Sequence, residues 1–310
     1  MSPSYESKML DELSMPSKQE VQEALLVSLF NHHGTIREFA AGEEIVNEIA
    51  VVLHLNELQR TAQLETIYRK ENRLKKSLLW HRLLFRAADD LAKHHLVLKP
   101  SQTVLLTGRK EWLLTENGYD RALILLGISQ TTKSELQVQS YEVELVTKEL
   151  IELPRPKNYS PFEQKRIATT TREYSIRSRG FRQAVLRAYD YRCCVCGLKI
   201  ATPDGKAWEA QAAHIVPHSA NGKDDIFNGI SLCHLHHWAF DAGWFSFQNH
   251  LELIVCKKRQ NLSDSAGKFY GIDIFGSGTE TIKPLCLPAR LENYPHEKAL
   301  AWHRENIFIT

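Results

Sequence analysis

The sequence predicts an α+β protein with two domains, and three observations support this fold class. The chain has 310 residues, which is enough for two hydrophobic cores of ordinary size. Apolar side chains recur at helical spacing through much of the first 100 residues, and short β-like runs bounded by turn residues follow them. Three of the six cysteines fall between positions 193 and 196, a clustering that favours a metal site in the second half over a disulfide framework.

The overall composition excludes two classes of protein. Hydrophobic residues make up 43% of the chain and charged residues 25%, which is typical of a folded globular protein and not of a disordered one. No apolar run approaches the roughly 20 residues of a membrane span, and the N-terminus lacks the basic and apolar regions of a secretion signal. We therefore expect a cytoplasmic protein that does not interact with membranes.

Positive charge is concentrated in one part of the chain. The formal net charge is only +2, but positions 155–199 hold eleven Arg or Lys residues against three acidic ones. Such a segment suits a polyanionic partner. The alternative, a solvated linker and helix face, remains open.

The first domain is predicted to begin with helices. A helix is expected over 17–33 with Ser17 as its N-cap, a second over 42–55, and a strongly amphipathic third over 77–94. Two β-like runs, TVLLT and EWLLT, then flank the turn at 108–110, and TENGYDRALILL predicts a further helix.

This order resembles a known DNA-binding family. The segments HRLLFRAADDLAKHHLVLKP and EWLLTENGYDRALILL look like the N-terminal winged-helix domain of Mrr-type restriction endonucleases, with Trp112, Thr115 and Gly118 as the sharpest matches. The resemblance covers residues 15–128 and implies that helix 77–94 enters the major groove of double-stranded DNA. The side chains it would bring to DNA are those of Arg82, Arg86, Lys93 and Arg109, with Lys110 beside them. The alternative is that these are ordinary solvated charges on a domain used for dimer contacts.

Four residues in two short pairs predict a zinc site in the second domain. Cys193-x-x-Cys196-Gly has the form of a zinc-knuckle turn, and Cys233-x-x-His236 repeats the same spacing. We expect these four to complete a tetrahedral Cys3His site for a structural zinc ion. Cys194 is the spare thiol, because only Cys193 and Cys196 have a gap of two residues.

The sequence around the zinc pairs resembles the HNH endonuclease family. AAHIVPHS, FNGISLC and HHWAFDAG place His214, Asn228 and His237 in the order of the family's His–Asn–His motif, over residues 180–250. The resemblance implies a ββα-metal fold and hydrolysis of DNA phosphodiester bonds. His214 would take the proton from water, Asn228 would fix the backbone that aims His214, and His237 would hold Mg²⁺ or Mn²⁺ against the scissile phosphate.

One position departs from that family. Many HNH enzymes have Asp or His immediately before the general base, as a second metal ligand, whereas this chain has Ala213. Asp241, one helical turn after His237, is the expected substitute, and Gln211 and Glu209 are weaker candidates. An ion pair is the alternative role for Asp241. Ala213 also keeps a different function open, that of a DNA-binding regulator with an inactive HNH-like module.

The basic helix before the knuckle is expected to contact the DNA backbone near the cut. Its candidate residues are Arg177, Arg179 and Arg182. His218, after Pro217, is expected to be a solvated loop residue, and an approach to DNA is the alternative.

These expectations define the predicted organisation of the chain. The segments are a flexible tail (1–14), a winged-helix DNA-reading domain (15–130), a linker containing three prolines (131–175), a zinc-stabilised HNH nuclease domain (176–276) and a C-terminal closing segment (277–310). The predicted function is a metal-dependent endodeoxyribonuclease of a restriction or anti-phage system. A homodimer is expected, since one HNH site cuts one strand.

Overall fold

The computed structural model describes residues 5–38, 44–68, 73–163, 170–203, 207–258, 268–269, 272–273 and 285–310. The chain divides into two compact units, Met1–Glu144 (unit 1) and Leu145–Thr310 (unit 2). Gly42, the expected start of the second helix, and positions 277–284 of the expected closing segment lie outside the described residues.

Unit 1 mixes helices with short antiparallel strands. In chain order the elements are α1 (Tyr5–Glu12), α2 (Lys18–Asn31), β1 (Thr35–Arg37), α3 (Glu44–Val52), α4 (Glu57–Thr61), β2 (Gln63–Tyr68), β3 (Arg73–Leu78), α5 (Leu79–Lys93), β4 (Val97–Leu98), α6 (Pro100–Thr107), β5 (Glu111–Leu114) and α7 (Glu116–Leu126). Strands β1, β5 and β4 form one sheet in that spatial order, and β2 pairs with β3 in a separate hairpin. Apolar side chains of α2, α5 and α7 share one core with the sheet.

The W-x-L-T-x-x-G segment of unit 1 has a clear structural basis. Trp112 lies in the core with 5% of its surface exposed. Thr115 caps α7 by accepting a hydrogen bond from the Gly118 backbone N–H at 3.1 Å, and its hydroxyl donates to the His95 carbonyl at 2.7 Å. A Cβ at Gly118 would lie 1.9 Å from the carbonyl oxygen of Leu96, so the close approach of α7 to that carbonyl requires glycine.

The four helices predicted in unit 1 are confirmed as α2, α3, α5 and α7. Helix α2 begins after Ser17, whose hydroxyl accepts from the Glu20 N–H while the Glu20 carboxylate accepts from the Ser17 N–H. The amphipathic helix expected over 77–94 is α5.

The prediction of a β-strand at TVLLT is wrong, because these residues form α6. Pro100 occupies the first turn of α6, and Gly108 ends it in the left-handed region at φ 72°. This placement of proline and glycine is typical of a helix, and it outweighs the β-branched content of the run. The strand that pairs with β5 on this side is Val97–Leu98 instead.

The expected flexible tail is also wrong for residues 5–12, which form α1. Glu6 of α1 pairs with two arginines of α5, and these contacts hold the helix against unit 1.

Unit 2 combines helices with short antiparallel pairs of strands. Its elements are α8 (Tyr141–Glu152), which begins four residues before the unit boundary, α9 (Thr171–Ala188), β6 (Gln211–His214), β7 (Gly229–Leu232), α10 (His234–Asp241), β8 (Phe245–Phe247), β9 (Leu253–Val255), β10 (Lys268–Phe269), β11 (Ile272–Asp273) and α11 (Glu297–Asn306). Each of the pairs β6–β7, β8–β9 and β10–β11 is antiparallel.

Part of the expected linker belongs to the packed structure of unit 2. Helix α8 lies within it, and at Gly180 of α9 a Cβ would come 2.4 Å from the Val146 side chain. The proline-rich stretch is anchored as well, because the Tyr159 hydroxyl donates to the Asp225 carboxylate at 2.8 Å and Arg155 donates to the Tyr294 carbonyl at 2.6 Å. Proline favours an extended path, but it does not decide whether that path is free or packed.

Helix α9 presses directly on the sheet that carries the candidate site. A Cβ at Gly229, the first residue of β7, would lie 2.3 Å from the Val185 side chain. Gly229 is opposite His214 in the strand register. The absence of a side chain at Gly229 therefore lets α9 approach the end of the strand where His214 sits.

A buried histidine in α11 gives unit 2 a specific pH dependence. His303 is 2% exposed, its ring stacks on Phe240 at 3.7 Å between centroids, and burial lowers its pKa to about 4. In the unfolded chain this imidazole has an ordinary pKa of about 6.5. Between that pH and the lower pKa of the folded state, the unfolded chain binds a proton and the folded chain does not. We expect the free energy of unfolding to fall by up to about 3 kcal/mol between pH 6.5 and pH 4.

Urea denaturation of the wild type and His303→Gln at pH 7.5, 5.5 and 4.5 checks this expectation. The variant should be less stable at pH 7.5, because it loses the contact with the Ser246 hydroxyl, but its stability should decline less with pH. An equal decline of stability with pH in the wild type and in His303→Gln would show that His303 is not the source of the pH dependence.

None of the helices in the described part of the chain combines the length and the apolar content that crossing a bilayer requires.

Candidate active site and metal centre

The four predicted zinc ligands converge in unit 2. The ligand atoms of Cys193, Cys196, Cys233 and His236 all lie within 4.8 Å of one another. The Cys196 and Cys233 sulfurs are 3.9 Å apart, and His236 Nδ1 lies 3.6 Å from the Cys193 sulfur and 2.9 Å from the Cys233 sulfur. A tetrahedral ion with arms of about 2.3 Å places its ligands roughly 3.8 Å apart. The donor set fits zinc, and the four ligand atoms are close enough together to share one ion.

The local sequence explains how this cluster forms. Gly197 adopts φ +74° and donates its N–H to the Cys193 carbonyl at 2.9 Å, which closes the tight turn between the first two cysteines. Cys233 is the N-cap of α10, so His236 follows in the first turn of that helix. The spare thiol Cys194 is fully buried outside the cluster, and its backbone pairs with Ser231 and Cys286.

His214 lies at the end of β6, half-buried beneath α9. Its ring stacks on Phe181 with centroids 4.1 Å apart and planes 17° apart. His214 Nε2 lies 2.7 Å from Oδ1 of Asp224, a carboxylate that is 2% exposed. The His218 Nε2 atom lies 3.1 Å from the same oxygen.

Asp224 is a residue that the sequence interpretation missed. Burial works against its ionisation, but the hydrogen bonds from His214 and His218 outweigh that effect and lower the pKa of the carboxyl below its ordinary range. The expectation that His218 is a solvated loop residue is wrong, because its ring faces Asp224 and lies 4.3 Å from the ring of His214. The available signal was the Asp-Asp pair just before Asn228, within reach of the turn.

Asn228 bridges the loop between β6 and β7 and is fully buried. Its amide oxygen accepts from the Val216 N–H at 2.8 Å, and its amide nitrogen donates to the carbonyls of Val216 and Lys223 at 2.9 and 3.0 Å. These bonds fix the backbone immediately after His214, which is the geometry that the sequence interpretation expected of this side chain.

His237 lies in the first turns of α10, and its backbone N–H donates to the Cys233 carbonyl at 2.8 Å. Its Nδ1 is 2.8 Å from the Gln211 amide oxygen, and its Nε2 is 3.6 Å from an Asp241 carboxylate oxygen. Burial lowers the pKa of His237, Asp241 acts against this, and the charges of His234 and His214 act in the same direction as burial. A neutral imidazole with a lone pair on Nε2 is the form that binds a cation.

Gln211 and Glu209 do not lie at the carboxylate side of His237. Gln211 links two histidines, because its amide nitrogen is 2.9 Å from His234 Nε2 while its amide oxygen accepts from His237. Glu209 accepts from the His234 N–H at 3.0 Å. Both residues therefore contact the start of α10, and Gln211 does so at the Nδ1 edge of His237, whereas Asp241 faces Nε2.

The arginines of α9 separate into two groups. Arg177 and Arg182 are exposed, and Arg177 also donates to the Asp224 carbonyl at 3.2 Å. Arg179 was predicted to contact DNA, but it is only 3% exposed. It follows Ser175 by one helical turn and so falls on the buried face of α9.

The predicted DNA contacts of unit 1 lie on its surface, but two of them are already paired. Glu6 accepts from Arg82 at 3.1 Å and from Arg86 at 2.6 Å. Lys93 and Arg109 are exposed at the end of α5 and in the turn after α6.

Comparison with known proteins gives the following matches. Residues 193–248 match the family model described as HNH endonuclease, so this part of the chain is an HNH endonuclease domain. Among solved structures, the chain is similar to a modification-dependent TagI restriction endonuclease, with 21% sequence identity and a TM-score of 0.30. That match covers 43% of this chain and 39% of the other. No curated protein matches the chain.

Proposed function

We propose that the HNH endonuclease domain at residues 193–248 hydrolyses DNA phosphodiester bonds with the help of a divalent cation. One observation carries this proposal. His214 lies in β6 and His237 lies in α10, and the Cys3His cluster connects the turn before β6 to the start of α10. His214 is the general base and Asn228 the residue that fixes its loop. His237 and Asp241 are the groups that would hold Mg²⁺ or Mn²⁺.

The side chains suit these roles for separate physical reasons. His214 is half-buried and held on two sides, so its ring keeps one orientation as a proton acceptor should. The imidazole of His237 and the carboxylate of Asp241 are ligands that a hard or borderline cation accepts. When bound there, the cation would neutralise charge on the phosphate and on the leaving oxygen.

The Cys3His cluster is proposed to hold a structural zinc ion. All four of its positions are occupied by protein ligands, which is typical of a zinc that supports folding and takes no part in the reaction. The ion would join the knuckle, which precedes β6, to the start of α10. It would therefore hold His214 and His237 at a constant separation.

Contact with double-stranded DNA is proposed for both units. Arg177 and Arg182 are the candidates for the backbone near the cut, and the buried Arg179 is left out. Unit 1 is proposed to be a winged-helix reader in which α5 enters the major groove. Its sheet order β1-β5-β4, with α5 immediately before β4, supports this assignment. Arg82, Arg86, Lys93 and Arg109 are its candidate contacts. A homodimer and an anti-phage role are part of the same proposal.

The pairing of Glu6 with two α5 arginines leads to a prediction about DNA affinity. Glu6→Gln should strengthen binding of duplex DNA several-fold at low salt, because Arg82 and Arg86 would no longer be neutralised by a carboxylate. The slope of the logarithm of the binding constant against the logarithm of the salt concentration should also become steeper, by about 0.9 for each additional phosphate that the protein neutralises. Fluorescence anisotropy over a salt series measures both quantities.

Glu12→Gln is the matched control, since it removes an exposed carboxylate from the end of the same helix. Equally strengthened binding in the two variants would point to net charge alone, and unchanged binding in Glu6→Gln would remove α5 from the DNA contacts.

A regulator with an inactive module is the second candidate, and Ala213 favours it. This residue is 1% exposed in β6 and supplies no ligand where many HNH enzymes have one.

A plasmid assay separates the two functions. Supercoiled plasmid, unmodified, methylated or glucosylated, is incubated with the full chain and Mg²⁺, Mn²⁺ or EDTA. We expect open circles to form only with a divalent cation. DNA binding without cleavage of any substrate would favour the regulator.

A further inference from the structure

Two side chains next to His214 have no part in the function proposed so far. Asp224 and His218 meet in the loop between β6 and β7, and one carboxylate oxygen of Asp224 contacts the rings of both His214 and His218. We propose that Asp224 is a positioning residue for His214, which fixes the ring so that Nδ1 is the nitrogen that takes the proton from water. This inference rests on the proposed function, because it assumes that His214 is the general base.

The first argument is the direction of the hydrogen bond. An ionised carboxylate can only accept, so the 2.7 Å contact requires the hydrogen of a neutral His214 to be on Nε2. The lone pair is then on Nδ1. After Nδ1 accepts a proton, the positive ring faces a nearly buried negative charge, which stabilises the imidazolium more than water at the same distance would.

The second argument is that the backbone that carries this carboxylate is held in place. The Asp224 carbonyl accepts from Arg177, and the carbonyl of the preceding residue, Lys223, accepts from the Asn228 amide. Phe181 stacks on the imidazole face. The ring of His214 therefore has one partner on an edge and one on a face, and rotation about its side-chain bonds would break both contacts.

A cation shared by His214, His218 and Asp224 is the competing arrangement, since the three ligand atoms lie within 4.8 Å of one another. Two ligands held about 2.1 Å from one ion at a right angle or wider lie roughly 3.0 Å or more apart. The His214–Asp224 separation of 2.7 Å is shorter and is an ordinary hydrogen-bond distance. The observed contact is therefore that of a direct hydrogen bond, and a metal titration tests the shared cation separately.

The tautomer of His214 can be measured without any assay of activity. Long-range ¹H–¹⁵N NMR on the zinc-loaded full chain, with His214→Gln used to assign the ring, reports which nitrogen carries the hydrogen. We expect Nε2–H in the wild type and a mixture of tautomers in Asp224→Asn. An Nδ1–H ring in the wild type would overturn the proposal whether or not the protein cuts DNA.

Kinetics provide the second readout. Asp224→Asn should lower kcat by about 10²–10⁴-fold with little change in KM, since Asp224 orients a catalytic group and does not hold DNA. Asp224→Glu should recover part of the loss. Asp190→Asn, which removes an exposed carboxylate of the same unit, should change neither parameter.

A metal titration tests whether His214, His218 and Asp224 share a cation instead. Mn²⁺ binding is measured by electron paramagnetic resonance in His237→Ala, so that the proposed cation site is disabled. We expect no tight site in that background. A tight site that disappears on adding Asp224→Asn would show that the three residues bind a cation instead. If the wild type proves inactive on all DNA, the proposed function fails, and the tautomer still decides whether Asp224 holds His214.

Discussion

His214→Ala is expected to lower the rate of metal-dependent plasmid nicking by about 10²–10⁴-fold, the range that a positioned general base contributes. The ring lies at the end of β6, stacked on Phe181 and bonded to Asp224. Alanine removes the proton acceptor but leaves the strand pairing with β7 intact, because that pairing uses backbone atoms. Single-turnover nicking with Mg²⁺ or Mn²⁺ measures the loss.

The matched control for this variant is His250→Ala, which removes an exposed histidine from unit 2. Zinc content should be the same in wild type and both variants. His214→Ala should lose about 1–3 kcal/mol of stability, because the buried Asp224 carboxylate loses a hydrogen-bond donor, whereas His250→Ala should keep the wild-type stability. Added imidazole should restore part of the activity of His214→Ala, since the face of Phe181 remains available for stacking. A fall of less than tenfold in a folded, zinc-loaded variant would show that His214 is not the base.

If the Cys3His cluster holds a structural zinc ion, as proposed, Cys233→Ser is expected to release it and to unfold unit 2. Apparent binding free energies of structural zinc in small domains are about 10–16 kcal/mol, which is comparable to the whole stability of a domain. Cys233 directly precedes α10, so losing its bond to the ion would free the start of the helix that carries His236 and His237. Zinc per chain by atomic emission, together with thermal unfolding, should show the loss of one zinc and of the unit 2 transition.

Cys194→Ala is the matched control for the zinc prediction, since Cys194 is adjacent in sequence to the knuckle and equally buried but lies outside the cluster. It should keep the zinc and lose only the modest stability of a small core truncation. Loss of zinc in Cys194→Ala with retention in Cys193→Ala would reverse the ligand assignment at the knuckle.

Local sequence signals were sufficient where the structure depends on near neighbours. The capping box at Ser17, the amphipathic pattern of α5 and the Thr115 cap of α7 involve residues within a few positions of one another. TVLLT was assigned wrongly although the signal was present, because Pro100 and Gly108 marked a helix more strongly than the β-branched residues marked a strand.

The convergence of the Cys3His residues was also predictable, although the two halves of this cluster are far apart in the chain. Each half is a short pair with metal-ligand spacing, and such spacing is constrained by the ion rather than by the surrounding fold. The packed linker could not be predicted in the same way. Whether Tyr159 and Arg155 contact a core depends on segments more than 60 residues further along the chain.

The sequence alone determined which residues are chemically able to form this site. They are the two metal-ligand pairs of the Cys3His cluster together with His214, Asn228 and His237. Only the tertiary structure decided which of the other charged groups join them. It brought Asp224 and His218 to His214, placed Gln211 on His237, and turned Arg179 into the interior. The physical reason is that ligand spacing and helix periodicity are local properties, whereas burial and the partner of a charged group depend on contacts between distant segments.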